Sequence, residues 1–147
     1  MNSSLFPDVN VWLALTHRRH IHHRIAADWF QGRDEATYFC RLTQFALLRL
    51  LTNEQVMGSD VRSQQEAWQA YLRWFTDERI EFHREPEGPE FEKLFQELSS
   101  KGRPAPKLWA DAYLAAFARA AGLTLVTFDR GFEGISSVRA VILRGDS

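Results

Sequence analysis

Five short runs of sheet-favouring residues alternate with amphipathic helical segments along this chain, and that alternation restricts the fold more than any other feature. The runs are Ser4-Leu5-Phe6, Thr37-Tyr38-Phe39-Cys40, Ile80-Glu81-Phe82-His83, Leu123 to Phe128, and Val138 to Leu143. Between them apolar residues recur at helical spacing. They do so over Val9 to Leu15, around Ile25, Ala26, Trp29 and Phe30, over Thr43 to Leu51, along Ala67, Trp68, Tyr71, Leu72 and Phe75, and along Phe91, Leu94, Phe95 and Leu98. A last helix is expected from about Lys107 to Ala121, with Gly122 placed to end it. Strands that alternate with helices predict an α/β fold: a mostly parallel central sheet of about five strands with helices on both faces. Pro7 has no amide hydrogen for a ladder, so it is expected to be the last residue of the first strand. Thr43 to Leu51 is apolar nearly all round, which predicts a buried helix. Gly102-Arg103-Pro104-Ala105-Pro106 is short and leads straight into a helix, so it reads as a break within one domain spanning residues 1–147.

Charge and cysteine content narrow the function. The 18 basic residues are balanced by 19 acidic ones, so no global positive field advertises nucleic-acid binding and a polyanion would have to be held locally. Cys40 is the only cysteine, which excludes an intrachain disulfide and a cysteine zinc site and fits a reducing cytoplasm. It reads as a small buried hydrophobe. No basic leader and no apolar run of membrane length is visible, and a soluble cytoplasmic protein is expected.

The chemistry is expected where acids meet strand ends. Asp8 follows the first run, Asp129 follows Leu123 to Phe128, and Asp111 falls in the first turns of the last helix. In open α/β sheets the ligand crevice lies beyond the carboxyl ends of the strands, where strand order reverses. Taken singly, each acid has an ordinary use: Asp8 with Asn10 as turn and helix cap, Asp111 as a helix-dipole partner, Asp129 as the start of the turn Asp129-Arg130-Gly131. Together they offer hard oxygen ligands without sulfur or a helical histidine pair, which points to Mg²⁺ or Mn²⁺ and to phosphodiester hydrolysis with an activated water. Asn10, Thr43, Gln44 and Thr127 are auxiliary polar candidates, and Arg103, Lys107 and Arg130 are candidates for holding the phosphates of the substrate. His17, His20, His22 and His23 stand among Arg18, Arg19 and Arg24 and read as a solvated or polyanion-touching loop rather than a cation site. The tryptophans read mostly as core. Trp109 is placed there too, although its position beside Asp111 would also suit stacking on a base.

These residues carry a family resemblance. Asp8-Val9-Asn10-Val11-Trp12-Leu13, Leu42-Thr43-Gln44, Leu108-Trp109-Ala110-Asp111-Ala112-Tyr113-Leu114-Ala115-Ala116 and Leu125-Val126-Thr127-Phe128-Asp129 with Gly131-Phe132 resemble the PIN domain, most closely the VapC ribonuclease toxins of type II toxin-antitoxin systems. The resemblance spans nearly the whole chain. It implies a Mg²⁺- or Mn²⁺-dependent endoribonuclease, often a homodimer, that cleaves cellular RNA and is blocked by a cognate VapB antitoxin. By that resemblance Asp8 and Asp111 are the principal metal ligands and Asp129 completes the cluster. One departure stands out: where the family usually carries a glutamate in the helix after the second strand, this chain has Ala46. A weakened or noncatalytic PIN-like binding module is therefore the alternative. A haloacid-dehalogenase-like phosphatase lacks its second acid in Asp8-Val9-Asn10. A response-regulator receiver lacks both the acidic pair near the first strand and the late-strand lysine.

Overall fold

The structure, a computed structural model, describes residues 4–135 and 137–144. Its strands are β1 (Leu5–Pro7), β2 (Thr37–Phe39), β3 (Ile80–Phe82), β4 (Thr124–Thr127) and β5 (Ala140–Ile142). Its helices are α1 (Val9–Thr16), α2 (His23–Gln31), α3 (Arg41–Leu51), α4 (Glu54–Met57), α5 (Gln64–Arg73), α6 (Pro89–Ser99) and α7 (Leu108–Ala121). All strand pairings are parallel, in the order β3-β2-β1-β4-β5. The mostly parallel sheet expected from the alternation is thus parallel throughout.

Helices cover both faces because successive strand residues point to opposite sides. On one face Trp12 of α1 stacks on Phe39 of β2 at 3.7 Å between ring centroids, beside Leu47 and Leu51 of α3. On the other, Phe6 of β1 stacks on Phe117 of α7 at 4.7 Å, among Leu114, Leu125 and Phe91. Cys40 is fully buried on that side. Pro7 closes β1, as its missing donor requires, and the ladder to β4 continues through the Asp8 amide, which donates to the Val126 carbonyl at 2.9 Å.

Two local readings are corrected, for α3 and Trp109, and one short helix, α4, is added. The α3 helix is buried on one side only: Leu47 and Leu51 are inaccessible, whereas Phe45 is 57% exposed and Arg41 and Arg49 face solvent. The short helix α4 lacks an apolar period and arises instead from capping, with the Asn53 side chain accepting the Gln55 amide at 2.9 Å. Trp109 is not core: it is 60% exposed, because α7 turns that side toward solvent and gives Phe117 and Leu114 to the sheet.

Gly122 ends α7 in the left-handed region at φ 69°, ψ 33°, and the Leu123 amide returns to the Ala118 carbonyl at 2.8 Å. Apart from its own chain neighbours nothing lies within 4 Å of where a Cβ would stand, so Gly122→Ala costs conformational strain alone. We expect a loss of about 1 kcal/mol, read as a drop of roughly 2–4 °C in a thermal melt.

Candidate active site

The strand order reverses between β1 and β4, so these neighbours define the crevice at the carboxyl edge. Asp8 leaves β1 there. One of its carboxylate oxygens caps α1, accepting the amides of Asn10 at 3.0 Å and Val11 at 3.2 Å, so the cap role and the crevice position belong to the same residue. Its other oxygen accepts the Thr127 hydroxyl at the end of β4. Thr127 is fully buried and also accepts the Asp129 amide at 3.0 Å, so a single hydroxyl ties the ends of the two strands together. Asp129 turns back to accept the Gly131 amide at 2.7 Å and opens a short 3₁₀ turn over Arg130–Gly134.

Electrostatics link the three acids. Asp8 is 6% exposed, and burial raises its carboxyl to a pKa of about 6; the bonds from Thr127 and the two amides pull it down, and the Asp111 charge pushes it up. Asp111, in the first turn of α7, is also raised, first by burial and then by Asp129. Its carboxylate accepts no hydrogen bond and forms no ion pair among the described residues. The helix N-terminus contributes a favourable field at that position.

Among the other candidates, two serve the fold. Thr43 is buried and closes a capping box, accepting the Cys40 amide at 3.0 Å and donating to its carbonyl at 3.1 Å. Gln44 is buried and accepts Arg41 Nη1 at 2.6 Å, with a further bond to Tyr71 on α5. Asn10 is exposed in the first turn of α1, and Ala46 leaves α3 without a carboxylate. Arg103 and Lys107 are exposed on the segment entering α7, and Arg130 is exposed beside Asp129. The histidine segment between α1 and α2 is partly buried rather than a free loop. His20 packs 5.7 Å from His22, which lies 4.8 Å from Phe128, and burial with the neighbouring imidazoles holds His20 below its ordinary pKa.

Among the described residues no group of three or more His, Cys, Asp or Glu side chains closes around a point suited to a metal. The donor chemistry nonetheless fits a hard, well-hydrated cation. Mg²⁺ keeps several of its waters and takes one or two carboxylates rather than a protein cage, and the mutual repulsion of Asp8 and Asp111 is what such a charge would relieve.

A sheet with helices on both faces and an acidic notch at its switch point is the class that fold and site define. A family model described as the PIN domain matches residues 5–137. Ribonuclease VapC41 of Mycobacterium tuberculosis is 41% identical over 145 residues, covering 95% of this chain and 98% of the relative. Among solved structures, M. tuberculosis VapC20, described as a sarcin-ricin loop cleaving toxin, superposes with TM-score 0.67 at 18% identity, covering 92% of this chain and 99% of that one. VapBC2 from Rickettsia felis, bound to a DNA fragment from its promoter, gives 0.64 at 14% identity over 95% and 98%. The chain belongs to the PIN-domain family, in its VapC ribonuclease branch.

Proposed function

We propose that this chain hydrolyses RNA phosphodiester bonds as the toxin of a type II toxin-antitoxin pair, with Mg²⁺ or Mn²⁺ held by Asp8, Asp111 and Asp129. The observation that carries the reading is the buried, charge-coupled Asp8 at the switch point, an expensive arrangement without a cationic or proton-handling use. The ribonuclease name of a relative 41% identical to this chain supports the reaction class, and the VapBC2 assembly supports a VapB-type partner. When bound, the cation would lower the pKa of a water and neutralise phosphate oxygens.

The chain's own groups supply orientation. Asp8 is held from both sides, by the α1 amides and by Thr127, so its direction toward the crevice is set before substrate arrives. Asp111 has no hydrogen-bond or ion-pair partner among the described residues, which leaves it the carboxylate most available to a ligand. Arg103 and Lys107, exposed on the segment entering α7, and Arg130, exposed beside Asp129, are the cations that would take RNA phosphates. The absence of an acid from α3 makes the centre less negative than the family pattern and favours one cation over two. It also keeps a weakened, RNA-binding PIN module as the second reading. The homodimer common in the family is part of the proposal.

The full chain incubated with mixed cellular RNA should cut in Mn²⁺, stop in EDTA and resume when Mn²⁺ is restored. The Mn²⁺ concentration needed should rise as pH falls through about 6, where Asp8 takes up its proton. Cleavage indifferent to EDTA would remove the metal from the mechanism. No cleavage at any Mn²⁺ concentration would leave the binding module.

A further inference from the structure

Away from the carboxylates, an open cleft of about 520 Å³ lies beyond the carboxyl ends of β2 and β3. Phe82 ends β3, an edge strand, and is 37% exposed; Phe45 on α3 is 57% exposed. Arg41 lies over the Phe82 ring, its guanidinium carbon 5.0 Å from the centroid, and its Nη1 is steadied by Gln44 at 2.6 Å. His83 and Arg84 continue the rim. The far wall is Tyr113, two residues after Asp111 on α7, whose hydroxyl donates to Glu85 at 2.7 Å. That bond occupies the one carboxylate lining the cleft.

Single exposed apolar residues are ordinary on a protein surface, but here Phe45 and the part of Phe82 that Arg41 leaves accessible share one cleft with two arginines. The combination is what unpaired nucleotides require: ring faces for bases of any sequence and cations for the phosphates between them. Its location gives it an occupant. The cleft shares α7 and the carboxyl edge with the acidic notch, and β3 stands two strands from β1, roughly 10 Å at about 4.8 Å per strand. A single RNA strand laid along this edge would touch both.

We propose that Arg41, Phe45, Phe82 and Arg84 form a subsite for unpaired nucleotides of the RNA substrate, with bases stacked on Phe45 and Phe82. The inference rests on the ribonuclease reading for its substrate. Stacking on these rings needs bases that are unpaired, since a stacked duplex presents no free base face to them.

The test is binding of a fluorescein-labelled single-stranded RNA of mixed sequence to the full chain in EDTA, alongside Mn²⁺-dependent cleavage by the parent. Phe45→Leu with Phe82→Leu keeps apolar bulk and removes the ring faces. It should weaken single-strand binding by about tenfold or more with an unchanged thermal melt, while Phe45→Tyr with Phe82→Tyr should retain parental affinity. Parental affinity in the leucine variant overturns the subsite and leaves the cleft as an apolar contact for a protein partner. A parent that cuts no RNA in Mn²⁺ refutes the nuclease reading separately, because the binding comparison does not depend on cleavage.

Discussion

Asp8→Asn should lower Mn²⁺-dependent RNA cleavage by on the order of 10²–10³-fold, the loss seen when one aimed polar group is removed from a charged centre, and raise the melting temperature of the metal-free protein near neutral pH. The two effects share one cause. In the unfolded chain this carboxyl titrates at 3.8, whereas burial raises it to about 6 in the fold. Between these values the folded state binds more protons than the unfolded one. Stability therefore falls as pH climbs through that window, and the full cost is present above about pH 6. Two pKa units correspond to about 3 kcal/mol, an upper bound, since the bonds to Thr127 and the α1 amides must be kept by the replacement. Asparagine can keep them. Its oxygen accepts the amides, and its NH₂ donates to the Thr127 hydroxyl oxygen. We expect a gain of roughly 2 °C or more at about pH 7.5 that vanishes near pH 4, where Asp8 is itself largely neutral. An Asp8→Asn protein that melts lower at both pH values would show that the charge is stabilised by the fold and not tolerated for function.

Thr127→Val should be the most damaging change at a residue outside the carboxylate set. Valine matches the shape but not the hydroxyl, so the swap is not conservative at this fully buried position. It leaves the buried Asp8 oxygen without its donor, at a cost of about 1–3 kcal/mol, and takes the acceptor from the less buried Asp129 amide. Cleavage should fall about 10–100-fold, the range for residues that orient a ligand from behind. Removing a bond that lowers the Asp8 pKa should also move the acid limb of the pH–rate profile toward alkaline pH. Thr127→Ser retains the hydroxyl and should restore both stability and profile. If valine lowers stability but leaves the pH limb in place, Thr127 is a packing residue and does not position Asp8.

Much of the fold could be read from local pattern. The five sheet-forming runs, the helices between them, Pro7 as the end of β1 and Gly122 as the end of α7 all follow from the preferences of a few adjacent residues. Readings that depended on which side of an element meets a neighbour fared less well. Phe82 alternates with Ile80 as a buried strand residue would, yet β3 is an edge strand and Phe82 faces the cleft. Trp109 carries the composition of a core residue on a helix whose packed side lies elsewhere. Thr43 and Gln44 sit in a motif that resembles the family's, but the fold spends one on a capping box and the other on Arg41 and Tyr71.

The sequence by itself determined that acids would stand after β1 and β4 and at the start of α7, because strand ends and helix caps are set by residues within a few positions of each other. Only the tertiary structure decided that β1 and β4 are neighbours at the reversal of strand order. The same assembly buries Asp8, brings the Asp111 charge to it, and joins it to a hydroxyl 119 residues away. Desolvation and through-space charge belong to the assembled packing, and no local period in the chain encodes them.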